Sequence, residues 1–177
     1  GKFETAAEHK PDYLRISQAE RERAEKEKNA KPEVRGMTIE DGAAVAEMEH
    51  QSFSDAWSEK AVLETLRQPT ALCLVAEKAG RRVGYLLAYQ AADEIEIARV
   101  AVVEEVKRQG VGTALMKKLQ EEGTQRKARK ILLDVREKNH MAQAFYEKIG
   151  FKEDGIRKRF YTEPEEDAVL MSMQISG

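Results

Sequence analysis

A chain of 177 residues, 41% hydrophobic and 35% charged, is long enough to bury one sizeable core and short for two. Its 30 basic and 32 acidic residues leave a net charge of −2, which excludes an overall basic field for holding nucleic acid by its phosphates. One cysteine and three scattered histidines exclude a disulfide framework or a multi-cysteine zinc site; with no apolar run near the ~20 residues that span a bilayer and no charged-then-apolar leader, a soluble cytoplasmic protein is expected, with no membrane partner.

The first 35 residues hold 9 basic and 8 acidic side chains. Ala19 to Lys28 carries eight charges in ten residues and no apolar stripe, so it reads as a solvated helix or a linker with nothing to bury. Residues 1–33 are assigned as a charged extension, with Phe3, Tyr13, Leu14 and Ile16 its only apolar anchors upstream of Lys31-Pro32, and residues 34–177 as the domain.

Val34–Met37 opens the domain as a strand. Ala44, Val45, Met48 and Phe53 then recur at helical spacing, and a second helix starts at Ser58 and stops before Pro69. Three strands follow, Ala71–Glu77, Val83–Tyr89 and Ile95–Val103, the first two joined in a hairpin at Ala79-Gly80. A glycine step at 110–112 leads into a helix carrying Leu115, Met116 and Leu119. Strand Lys130–Val135, helix 140–149 and strands near 151–153 and 167–173 close the chain. This order, strand, two helices, three strands, helix, strand, helix, two strands, predicts an α/β fold around a mixed sheet.

Chemistry concentrates between Arg99 and Leu115. There a strand runs into a turn whose glycines let backbone N–H groups approach an anion, and the next helix aims its positive end at the same point. The Gly-Lys-Ser/Thr ending of a nucleotide P-loop and the three-glycine dinucleotide fingerprint are both missing. Gly110-Val111-Gly112 therefore reads either as a pyrophosphate cradle or as a tight strand-to-helix turn. Cys73, in an apolar run, reads as core; His140 as a solvated first-turn residue; His9 and His50 have no partner pattern. Trp57 reads as a core anchor or a pocket wall, and Arg157-Lys158-Arg159 as a solvated strand end.

Residues 107–112, Lys-Arg-Gln-Gly-Val-Gly, resemble the Gln/Arg-x-x-Gly-x-Gly/Ala signature of the GNAT acyl-CoA N-acyltransferases, with Lys107 in the first place. Leu133 to Phe151 is similar to that family's second half, with its Asn, Ala-x-x-x-Tyr and Gly-Phe elements, and the likeness covers about 34–175. It implies the GNAT fold, a mixed, mostly antiparallel central sheet flanked by about four helices. Within the family, Phe53–Ser58, the Val-Arg-x-x-Asn step and Tyr161–Ala168 look most like the RimI-type ribosomal-protein-alanine N-acetyltransferases. Pro11–Arg21 resembles the C-terminal tail of TsaB proteins, which would make the chain one end of a longer fusion with tRNA-modification proteins as partners.

The resemblance implies acetyl-CoA as cofactor, held by Val100, Ala101, Val102, Lys107, Arg108, Gln109, Gly110, Val111, Gly112, Thr113 and Asn139. It implies Tyr146 as the acid that protonates the departing thiolate, and Asp134, where RimI-type enzymes carry glutamate, as the base. Aspartate is shorter by one C–C bond, about 1.5 Å, so contact with the amine is either direct or through water; the other reading of Asp134 is a strand-end cap. Trp57, Glu94 and Tyr161 are assigned to the acceptor, and Glu94 and Glu96 are alternates for the base. The expected activity is direct transfer, in a ternary complex, to the N-terminal alanine of a small-subunit ribosomal protein. A small-amine acetyltransferase acting on polyamines or aminoglycosides, and a CoA-binding docking module, are the competing readings.

Overall fold

The computed structural model describes residues 10–175, with side chains from Ser17 onward; Phe3 and His9, and the side chains of Tyr13, Leu14 and Ile16, lie outside these. Helix α1 (Lys10–Asn29) precedes β1 (Glu33–Gly36), α2 (Gly42–Ser52), α3 (Glu59–Leu66), β2 (Ala71–Lys78), β3 (Arg81–Ala91), β4 (Glu94–Val102), α4 (Val111–Gln125), β5 (Lys130–Arg136), α5 (His140–Ile149), β6 (Lys152–Thr162) and β7 (Glu165–Gln174). Within 34–175 the order of elements is the one the periodicities predict. Local chemistry fixes two starts: the Ser58 hydroxyl accepts from Ala61 N at 3.1 Å and the Asn139 carboxamide from Ala142 N at 3.1 Å, each meeting an N–H that a first helical turn leaves unpaired.

The strands form one sheet in the order β1-β2-β3-β4-β5-β7-β6, antiparallel except for β4 beside β5. Helix α4 covers one face: a Cβ at Gly84 on β3 would lie 3.1 Å from Val111 and 3.3 Å from Leu115. Helix α2 lies on the other face, where the Tyr85 hydroxyl meets Glu49. Core side chains such as Leu74, Leu86, Leu115, Leu119 and Ile131 are fully buried, and their removal from water is the main stabilising term.

Two readings of the sequence change. Segment 10–29 is a helix rather than a linker, and its last turn is not free in solvent, because Glu27 is buried against Arg81 with 2.9 Å between Oε1 and Nη1. The sixth strand extends to Thr162 instead of ending near 153. It lies at the sheet edge with nearly every residue exposed, so it carries no apolar alternation; backbone pairing to β7 holds it.

One buried ion cluster ties the first half together. Asp41, fully buried at the start of α2, accepts from both Nη atoms of Arg35 on β1 at 2.8 Å and from Arg82 Nε on β3 at 2.6 Å. It also accepts from Thr38 N at 2.8 Å. The Arg35 hydrogen bonds hold its carboxyl well below the ordinary 3.8. Its contribution to stability is therefore complete above that unfolded-state value and is lost as pH falls through the lower folded-state value. Asp41→Asn is expected to cost about 3 kcal/mol and to remove part of the loss of stability below about pH 4, measured as urea midpoints against pH.

Candidate active site

Parallel pairing between β4 and β5 covers only Glu94–Lys130, Ile95–Ile131 and Glu96–Leu132. Beyond it the strands part. The cause is local: β3 and β4 change register between Leu87–Arg99 and Ala88–Ile97, leaving Ala98 as an extra residue on β4, a bulge that bends the strand and adds twist. It also reverses the side-chain alternation, since Ile95 and Ile97 are buried before it while Arg99 turns to the opposite face, against Glu49 of α2.

The bulge leaves β4 with an open edge. Val103 N donates to Val83 O at 2.8 Å, and antiparallel alternation then directs the backbone groups of Ala101 toward β3 and those of Val100 and Val102 toward the opening. Val100 and Val102 thus offer a row of donors and acceptors to an extended ligand, and Ala101 does not by its backbone. The wedge ends at the cradle, where Arg108 (φ +69°) and Gly110 (φ +85°) are both left-handed. Gly110 is the N-cap of α4, so the first-turn N–H groups of Val111, Gly112 and Thr113 lie beyond the intrahelical ladder, at the positive end of the helix. A Cβ at Gly110 would meet nothing within 4 Å but carries the strain of its φ; a Cβ at Gly112 would lie 2.9 Å from the Phe145 ring. Gly112 is therefore also the place where α4 and α5 close on each other, so a larger residue there disturbs packing as well as any anion. Lys107, also in this loop, pairs with Glu104 at 2.7 Å. An open strand edge leading to a helix N-terminus of left-handed turn residues fits a pantetheine arm and its pyrophosphate.

Asp134 lies two residues past the last β4–β5 pair, where register places it level with the Ala98 bulge and on the α2 side of the sheet. Its Oδ2 accepts from the Tyr161 hydroxyl at 2.6 Å, so the hydrogen bond found is to a side chain of β6 and not a strand-end cap. Arg136 stacks over the Tyr161 ring at 4.2 Å and fixes it by donating to Glu163 O at 3.1 Å and Pro164 O at 3.0 Å. Burial, then the Asp134 bond, pushes the Tyr161 hydroxyl well above its ordinary range, keeping it a donor. Tyr146 projects from α5, edge-on to Phe145 and Phe151; burial first, and the Asp134 charge second, push its pKa up to about 12. Asn139 caps α5. Glu94 and Glu96 are exposed in the joined part of β4, Glu94 about four residues, or roughly 13 Å, short of the bulge.

Trp57 packs on the core and also lines an open cleft of about 340 Å³ with Ala61, Thr65 and Tyr89. Burial pushes the Cys73 thiol up to about 11, consistent with an inert core residue, and no cluster of metal ligands occurs among the described residues. The sequence reading missed the group that holds the 53–57 loop. Glu49, fully buried, accepts from Tyr85, from Arg99 Nε at 3.0 Å and from Trp57 N at 3.0 Å. Arg99 lies 4.2 Å from the Phe53 ring centre and 5.4 Å from that of Trp57. The available signal was a lone cation inside the apolar run Ile97–Val103, with Glu49 four residues after buried Val45.

A sheet split between its parallel strands, with a free helix N-terminus at one end and a tyrosine and a carboxylate near its apex, is the arrangement expected of an acyl-CoA-dependent N-acyltransferase. Residues 42–151 match the model of the Acetyltransferase (GNAT) family. The chain is 31% identical over 135 residues to the [ribosomal protein bS18]-alanine N-acetyltransferase of Escherichia coli strain K12, covering 75% of this chain and 90% of that one. A Bacillus subtilis (strain 168) protein that carries the same name provisionally is 37% identical over 147 residues, 82% of this chain and 97% of its own. The crystal structure of the ribosomal-protein-S18-alanine N-acetyltransferase from Escherichia coli superposes with a TM-score of 0.76 at 29% identity, covering 83% of this chain and 96% of that one. The chain belongs to the GNAT acetyltransferase family, and acetyl-CoA is its acyl donor.

Because the chain contains one tryptophan, the Glu49–Arg99 group can be read optically. Arg99→Met is expected to shift Trp57 emission to longer wavelength and to speed its quenching by iodide, as the 53–57 loop loosens. It leaves Glu49 buried without its cation, at a cost of about 3 kcal/mol, measured by chemical denaturation.

Proposed function

We propose that the chain acetylates the α-amine of a protein N-terminus, with the N-terminal alanine of ribosomal protein bS18 as acceptor, by direct transfer in a ternary complex. Asp134 at the wedge apex carries this reading, and the names of the Escherichia coli and Bacillus subtilis relatives support the acceptor. A ribosomal-protein acceptor would make the enzyme a cytoplasmic one. Among the described residues no helix is long and apolar enough to cross a membrane.

Acetyl-CoA supplies an activated thioester. The chain's own residues then have three tasks. The α4 N-terminus and the Val100 and Val102 backbone orient the donor along the open edge, with a backbone N–H near Val102 available to the thioester oxygen. Asp134, on the acceptor side of the sheet, takes the ammonium proton, directly or through one water; Tyr161 occupies Oδ2, leaving Oδ1 for this work. Tyr146, reaching in from α5, gives its proton to the departing sulfur. With a pKa near 12 its hydroxyl is fully protonated at neutral pH, as a general acid requires. Base and acid thus come from opposite faces of the sheet and meet at the gap.

Tyr146→Phe keeps the ring packing and is expected to lower kcat by on the order of 10²-fold with little change in acetyl-CoA affinity; near-normal turnover would return Tyr146 to packing. Asp134→Asn should lower kcat/KM for an alanine-starting peptide, with partial recovery as rising pH deprotonates the amine in solution, while Asp134→Glu should retain or raise the rate. An unchanged pH profile in Asp134→Asn would remove the base assignment. Alanine-starting bS18 peptide, spermidine and an aminoglycoside assayed side by side test the acceptor: the peptide should exceed the small amines by at least about tenfold in kcat/KM. Faster acetylation of a small amine would give that reading precedence, and acetyl-CoA binding without turnover of any acceptor would favour a docking module.

A further inference from the structure

Lys78, the last residue of β2, is 1% exposed. A lysine so deeply buried is kept only where its amino group is met by acceptors, and two are present. Nζ donates to Gln109 Oε1 at 2.6 Å and to Lys28 O at 3.3 Å. Gln109 is in the cofactor loop, between the left-handed Arg108 and Gly110, and passes the restraint on by donating from Nε2 to Glu105 O at 3.3 Å. Lys28 belongs to the last turn of α1, whose carbonyls have no partner within the helix and carry its negative end, a favourable place for a cation.

A second contact runs parallel to the first. Arg81, at the start of β3, pairs with Glu27 of α1 at 2.9 Å and with Glu105 of the cofactor loop at 3.7 Å. Between helix and loop lies a cleft of about 190 Å³, with Ala24 and Glu27 on one wall and Val106 and Gln109 on the other. The extension and the anion cradle therefore share two side-chain bridges, one buried and one partly exposed. The cradle has need of them: a non-glycine residue in the left-handed region, as Arg108 is, costs on the order of 1 kcal/mol and persists only where its surroundings hold it.

We propose that α1 is a strut for the cofactor loop. Lys78 is its positioning residue, coupling the carbonyl end of α1 to Gln109 and holding the 107–112 backbone in its anion-receiving form, so that docking of α1 strengthens acetyl-CoA binding. The coupling is reciprocal: acetyl-CoA, once bound, tightens α1 on the domain. The inference rests on the cradle assignment for residues 107–113 and is independent of which amine is the acceptor.

The test uses the full chain and acetyl-CoA as the titrant. Lys78→Met keeps the buried stem and removes both hydrogen bonds; calorimetric Kd for acetyl-CoA should rise about fivefold or more, and in turnover the loss should fall on the KM for acetyl-CoA, not on kcat or on the KM for the peptide. Glu27→Lys leaves Lys78 and the loop untouched, sets two cations together at the outer bridge, and should weaken acetyl-CoA binding in the same direction. Hydrogen exchange should show amides of 20–29 better protected with acetyl-CoA than without it in the wild-type chain, and this difference should shrink in Glu27→Lys. Gly110→Val, which strains the cradle itself, is the comparator. Weakened binding in Gly110→Val with both bridge variants within twofold of wild type overturns the strut and keeps the cradle; unchanged binding in all three removes the cradle assignment. A Lys78→Met chain that loses kcat and affinity together, or fails to fold, leaves Glu27→Lys and the exchange difference to decide, and if neither responds the strut is overturned.

Discussion

Two parallel strands that belong to one sheet are held together by evenly spaced backbone bonds, and β4 and β5 keep them for only three residue pairs. Past Glu96 the extra residue at Ala98 bends β4 away, and the edges that face each other across the gap have backbone groups with no strand to receive them. An unpaired edge inside a sheet is costly unless something completes it. A pantetheine arm, with its two amides, is of the right kind, so on the proposed reading the defect in pairing and the site for the donor are one feature. The same bulge decides which side chains of β4 face α2, because it exchanges the two faces of β4 halfway along. Without that exchange Arg99 would point into the α4 side of the core, and the loop carrying Trp57 would lose the cation that lies over its Phe53 and Trp57 rings.

Three buried charges share a plan. Asp41 gathers Arg35 and Arg82 from two strands, Glu49 gathers Arg99, Tyr85 and the Trp57 backbone, and Lys78 gathers Gln109 and the end of α1. Each joins elements distant in sequence at a point where an apolar contact would hold them less directionally. Buried ionic groups add little net stability compared with well-packed apolar ones, so their value here is geometric. One sets the start of α2, one the loop at 53–57, and one the loop before α4.

Asp134, the proposed base, has a short side chain, and the structure gives it a neighbour that holds it in place. Tyr161 is stacked under Arg136, which is tied to the β6–β7 turn, and its hydroxyl fixes one carboxylate oxygen. If Asp134 is the base, an oriented carboxylate needs less reorganisation when it accepts a proton. On that proposal the edge strand β6 belongs to the site although none of its residues forms core.

The sequence by itself determined the succession of helices and strands, the capped starts at Ser58 and Asn139, the glycine step before α4, the inert setting of Cys73 and the residues Asp134 and Tyr146 that resemble a base and an acid. These are legible because helix and strand periodicity, capping and turn chemistry act over a few residues. Tertiary structure alone decided the bulge at Ala98, the length of β6, the pairing of Tyr161 with Asp134, the burial of Glu49 and Arg99, and the docking of α1 through Lys78. A bulge exists only against a partner strand, an exposed edge strand has no apolar rhythm to read, and a charge-dense segment shows what it contacts only when a buried lysine from 50 residues away reaches its last turn. Interactions of that range depend on register and packing, which one-dimensional spacing does not carry.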